Sequence, residues 1–150
     1  MINNKYSADD FIKILSDKFI NNKPVNLTVT GNSMVPFLIH KRDTVILTPA
    51  DDSIKKGDIL LYRRKNGKCV LHRVKKITDK GIYFVGDSQT AVEGPLDKSC
   101  ILAQCTSAIR KGRLITEKNL IWHFFRIIWL NIIPVRLPII RFISKIKKLT

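Results

Sequence analysis

The chain has 150 residues, enough for one domain and an appendage. Apolar residues at 45% and charged residues at 26% exclude disorder throughout, and seven Gly with six Pro exclude collagen-like or low-complexity architecture. The unusual quantity is charge: 27 Lys and Arg against 12 Asp and Glu, formally +15. That field favours anionic partners, nucleic acid or acidic lipid, and says nothing of fold.

In chain order, the first segment reads as a helix. Ser7 is its N-cap, Asp9 and Asp10 lie in the first turn, and Phe11, Ile14, Leu15 and Phe19 form one apolar face. Asn21, Asn22 and Pro24 end it. Period-two alternation then begins, with Val25, Leu27 and Val29 against Asn26, Thr28 and Thr30. Further strands are predicted over 44–47, 58–63, 68–77, 81–85 and 101–109, separated by turn signals that include Asn66-Gly67. Short strands without long intervening helices predict a mainly β fold, an antiparallel and partly closed domain. The expected boundaries are a short N-terminal amphipathic helix over 1–23, a β-rich domain over 24–116 and an apolar, basic helical tail over 117–150.

The opening residues are polar, with no apolar core of a secretory signal, and no lipidation motif or internal repeat occurs. Three Cys exclude a complete disulfide framework, and Cys69, Cys100 and Cys105 lack the close pairing of a zinc knuckle. They are expected to be reduced packing residues, and neither metal nor cofactor is expected.

Three stretches could carry chemistry. In Gly31-Asn32-Ser33-Met34, a glycine turn after a strand projects a serine toward a cleft; such a serine needs a base to become nucleophilic. In Val70-Leu71-His72-Arg73-Val74, the alternation puts His72 on the face of Val70 and Val74, with an unperturbed pKa of about 6.5 suited to general-base work. In Gly86-Asp87, a carboxylate opens the loop after a strand, where it could accept the second imidazole N–H. Taken singly, each is better read as a polar turn, a hydrogen-bonded core histidine and a turn-forming aspartate. His40 and His123 have no such company: one lies in a basic loop, the other on the tail.

Their order changes the odds. Gly31-x-Ser33-Met34-x-Pro36, Asp43, Gly57-Asp58-Ile59, His72-Arg73-Val74, and Gly86-Asp87 with Glu93 six positions on resemble the signal peptidase I and LexA-like serine peptidase superfamily, over 25–113. The resemblance implies a β-rich serine endopeptidase. It is closest to the branch in which a His, rather than a Lys, precedes Arg-Val. It carries over Ser33 as nucleophile, His72 as general base and Asp87 as the orienting acid, with Glu93 at the position of the second acid. Gly31 stands where many signal peptidases have a Ser, so the oxyanion hole falls to the Ser33 N–H and the Asn32 amide. Lys75 and Lys76 match no family base and are expected to be solvated. The family's usual N-terminal anchor is not expected, and a short amphipathic helix is expected in its place.

The function expected is cleavage of signal or leader peptides from a peptide or protein precursor. The alternatives are a LexA-like regulatory peptidase, for which the roughly 24 residues before Val25 are too few to hold a three-helix DNA reader, and a membrane-associated, inactive peptidase-fold binding module. The absence of a recognition helix or stacking motif argues against nucleic acid. In the tail, Leu120 to Ile133 is nearly all apolar, and Ile139, Phe142, Ile143 and Ile146 oppose Arg141, Lys145 and Lys148. The preferred expectation is peripheral or tail-anchored attachment to an anionic membrane surface, the protein being otherwise cytoplasmic. The alternative is that Trp122, Phe125 and Trp129 pack on the β domain.

Overall fold

Ser7 starts α1 (Ala8–Ile20) through a reciprocal capping box: its hydroxyl accepts the Asp10 N–H at 3.1 Å, and the Asp10 carboxylate accepts the Ser7 N–H. The structure, a computed structural model, describes residues 7–149, with side chains from 7 to 145. The expected positions of Ile146 and Lys148 therefore lie outside the described side chains. Phe11 and Leu15 of α1 are buried, while Ile14 and Phe19 are half-buried.

Eight antiparallel strands follow: β1 (Val25–Thr28), β2 (Thr44–Thr48), β3 (Ile59–Arg63), β4 (Cys69–Thr78), β5 (Gly81–Val85), β6 (Glu93–Leu96), β7 (Ile101–Arg110) and β8 (Arg113–Thr116). They form one sheet in the order β1-β2-β7-β3-β4-β5-β6, with β8 paired to β7. The ten-residue β7 is the spine: β2 lies along one edge, and β3 and β8 follow one another along the other. The mainly β, antiparallel fold with flanking helices is thus present. The strands β6 and β8 are additions to the expectation. β6 contains Gly94-Pro95, which reads as a turn, and β8 is a short return across the Lys111-Gly112 turn, both of whose residues have positive φ.

β3 explains the layering. Its Ile59-Leu60-Leu61-Tyr62 run is buried on both faces, so alternate residues feed two clusters. Ile59 and Leu61 join α1, β1, β2 and β7 in the larger core, and Leu60 and Tyr62 join Val74, Ile82 and Phe84 in the smaller.

The tail packs into the larger cluster. Leu120–His123 is α-helical (α2), Phe124–Trp129 is wound as a π-helix, and Ile133–Val135 is a 3₁₀ turn leading into α3 (Arg136–Leu149). α3 starts earlier than Ile139 because Pro138 falls in its first turn, where a missing N–H breaks no helical bond. Trp122, Phe125 and Trp129 are buried, and Phe37 meets Trp122 edge-on at 5.4 Å and Phe125 at 4.9 Å. The alternative expectation for these three aromatics is therefore the observed one. Lys75 is also corrected: it is half-buried and donates to the Leu130 carbonyl at 3.1 Å, whereas Lys76 is exposed.

Candidate active site

His72 and Arg73 are neighbours on β4 and point to opposite faces, as the pleat requires. Each is buried, and each organises a separate string of partners.

On the His72 face, the Tyr62 hydroxyl lies 3.0 Å from His72 Nδ1 and donates to Glu93 Oε2 at 2.8 Å. Arg64 grips the Glu93 carboxylate with Nε at 2.8 Å and Nη2 at 2.5 Å. Tyr62 is fixed by stacking on Phe84, with centroids 4.2 Å apart. The protonation states follow from this chain. Burial opposes ionisation of Glu93, but Arg64 and Tyr62 hold its carboxyl below the usual carboxylate range. Burial and the Glu93 carboxylate push the Tyr62 hydroxyl up, so it keeps its proton. Burial, helped by the Arg64 charge, lowers His72 to about 4. The imidazole is neutral at pH 7. With the Tyr62 proton committed to a carboxylate that only accepts, the Tyr62 oxygen must accept from His72 Nδ1–H. That leaves Nε2 as the bare, basic nitrogen, the tautomer a general base needs.

On the Arg73 face, Nε and Nη2 donate to the two Asp87 oxygens at 2.9 and 2.8 Å, and Nη1 donates to the Gly57 carbonyl at 2.9 Å. Both side chains of this ion pair are fully buried. The expected hydrogen bond from His72 to Asp87 is therefore not formed. Asp87 lies on the wrong face of β4, with both oxygens engaged by Arg73. The acid reaching His72 is Glu93, through Tyr62, a residue that no motif marks. The Gly57-Asp58, His72-Arg73 and Gly86-Asp87 motifs do converge, but on Arg73.

Ser33 is half-buried in the turn after β1. Its carbonyl accepts the Ser88 N–H at 2.9 Å, and the Ser88 hydroxyl donates to the Asn32 carbonyl at 2.9 Å. The two backbones come so close that a Cβ on Gly86 would lie 2.5 Å from the Ser33 carbonyl oxygen, which accounts for glycine there. His40 is also used: its Nδ1 accepts the Gly31 N–H at 2.9 Å and braces the turn. Among the described residues, the Ser33 N–H and hydroxyl make no hydrogen bond and His72 Nε2 makes none, so the expected Ser33–His72 hydrogen bond is not formed. The Asn32 side chain is exposed. A cavity of about 30 Å³ adjoins Ser33, lined by Leu27, Val29, Met34, Leu61 and Leu71.

The tail clamps this loop from behind. Trp129 Nε1 donates to the Asp87 carbonyl at 2.8 Å, and the buried Arg136 donates to the carbonyls of Gly86 (3.0 Å), Gln89 (3.1 Å) and Trp129 (2.8 Å).

A family model described as Peptidase S24-like matches residues 2–104. The chain belongs to this family. No curated protein matches it. A serine peptidase fold of the superfamily that includes LexA and the signal peptidases is thereby established for the β domain. The match stops short of Trp129 and Arg136, so the clamp behind the Gly86–Gln89 loop lies outside the matched residues.

Proposed function

We propose that this protein is a serine endopeptidase that removes signal or leader peptides from precursors, with Ser33 as nucleophile and His72 as general base. The observation that carries the reading is the Arg64–Glu93–Tyr62–His72 chain, which leaves Nε2 of a neutral imidazole as the open base. Substrate binding brings Oγ and Nε2 into contact; such bonds are often unmade in unliganded enzymes. Nε2 takes the Ser33 proton as Oγ attacks the scissile carbonyl. The Ser33 N–H receives the developing oxyanion. The imidazolium, stabilised by the Glu93 charge through Tyr62, gives its proton to the departing amine. Water repeats the cycle on the acyl-enzyme and restores Ser33.

The substrate class rests on two features beside Ser33. β1 is the end strand of the sheet path, so an extended peptide can add along it. The small apolar cavity suits a small side chain next to the cut bond. The role of Asp87 in this reading is to position the loop through Arg73 rather than to orient the base.

The test is to incubate the full chain with a library of synthetic leader peptides, each with a basic start, an apolar core and small residues before the cut. New N-termini are read by mass spectrometry. The reading expects a defined set of cleavages that Ser33→Ala and His72→Ala both abolish. Cleavage that persists in Ser33→Ala, or none in the parent, would overturn it.

A further inference from the structure

Although Trp122, Phe125 and Trp129 are buried, the other side of the same segment is bare. Leu120 is 88% exposed, Ile127 57% and Ile128 52%, and Phe124 lies open between them. On α3, Phe142 is 66% exposed. Soluble surfaces rarely present apolar side chains at this density without a partner.

The surroundings state what the partner is made of. Lys118 precedes the first segment, and Arg141 and Lys145 flank Phe142, all exposed. No acidic residue follows Glu117 in the chain. The two helical stretches, Leu120–Trp129 and Ile133–Lys145, are bent by 101° at their junction, and no single helix among the described residues is long and apolar enough to cross a membrane. An exposed apolar stripe, cationic neighbours and a sharp bend where a span would run straight are the features of a segment lying in a lipid interface. A protein partner would demand matching shape, whereas an anionic bilayer requires only apolar depth beneath a negative surface.

We infer that the outer face of the tail, centred on Leu120, Phe124, Ile127 and Ile128, docks on an anionic lipid bilayer. Because the inner face of the same segment carries Trp129, and Arg136 follows it, docking holds the Gly86–Gln89 loop and Ser33 beside the lipid surface. Truncating the tail would therefore damage the site as well as the docking face, and point substitutions on the exposed side separate the two.

The experiment is sedimentation of the full chain with vesicles of phosphatidylglycerol and phosphatidylcholine, or of phosphatidylcholine alone, at low and high salt. The parent is expected to bind the anionic vesicles at least tenfold more tightly, with salt weakening binding. The triple substitution Leu120→Gln, Ile127→Gln and Ile128→Gln should lose at least tenfold while keeping the parent's melting temperature. Arg141→Glu with Lys145→Glu should remove most of the salt dependence. A parent indifferent to lipid charge and salt, or a folded triple variant that binds like the parent, overturns the proposal. So does a dimer in gel filtration that the triple substitution breaks, without vesicle binding by the parent: the face then serves a second copy of the chain. No outcome depends on peptidase activity, so this inference and the proposed function fail separately.

Discussion

The two faces of β4 carry similar chemistry and opposite jobs. On one, Arg73 and Asp87 form a fully buried, bidentate ion pair, and the third guanidinium nitrogen donates to the Gly57 carbonyl. On the other, His72 connects through Tyr62 to Glu93, whose carboxylate is only part-buried and is gripped by a part-exposed Arg64. A buried, bidentate pair tied also to a backbone carbonyl is a rigid brace, so it fixes geometry. A string that ends on a neutral imidazole with one bare nitrogen can take up a proton and spread the charge. On the proposed reading, an acid's role here is decided by which face of the strand it reaches, not by its residue type.

The largest expected effects break the His72 face at its reactive end. Ser33→Ala and His72→Ala should each lower kcat/KM by at least about 10³-fold in the leader-peptide assay, with little change in melting temperature for Ser33→Ala. The Arg73 face should fail differently. Asp87→Asn leaves a buried guanidinium without its charge partner and should cost about 3–5 kcal/mol in denaturant unfolding; any loss of activity should follow loss of fold.

Between these lie Glu93→Gln and Tyr62→Phe. Each should reduce kcat roughly 10- to 100-fold, an expectation scaled from the typical contribution of acid–base catalysis. Glu93→Gln should cost less stability than Asp87→Asn because Glu93 is part-exposed. If Asp87→Asn instead lowered kcat at unchanged stability while Glu93→Gln did nothing, the assignment of the two faces would be reversed.

A subtler expectation is in pH. The folded His72 titrates near 4 against about 6.5 when unfolded, so the unfolded chain binds the extra proton between those values. The stability associated with the neutral His72 is complete above about pH 6.5 and falls as pH drops toward 4, by roughly 3 kcal/mol for that shift. His72→Gln should flatten this part of the stability profile, and the acid limb of kcat/KM in the parent should lie nearer 4 than 6.5.

Much of this was legible in the residues. Period-two runs marked six of the eight strands, and β6 and β8 escaped because one is interrupted by Gly94-Pro95 and the other is only a four-residue return. The motifs single out Ser33, His72, Asp87 and Glu93. The alternation that placed His72 with Val70 and Val74 also implied that Arg73 faces the other way, but not which acid reaches which face; that depends on how the loop between β5 and β6 folds. Tyr62 gave no signal, since a tyrosine in an apolar strand reads as packing. The tail's hold on the loop was illegible for a related reason: Trp129 and Arg136 act through backbone carbonyls, which leave no mark on sequence.

The central claim is that Tyr62 and Glu93 hold His72 with Nδ1 protonated and Nε2 free. Nitrogen-15 spectra of the histidine ring at pH 7, assigned with the His72→Gln variant, test it most directly. The account predicts a proton on Nδ1 and none on Nε2, with this preference lost in Tyr62→Phe. A ring carrying its proton on Nε2 in the parent, or a Tyr62→Phe spectrum unchanged from it, would contradict the account.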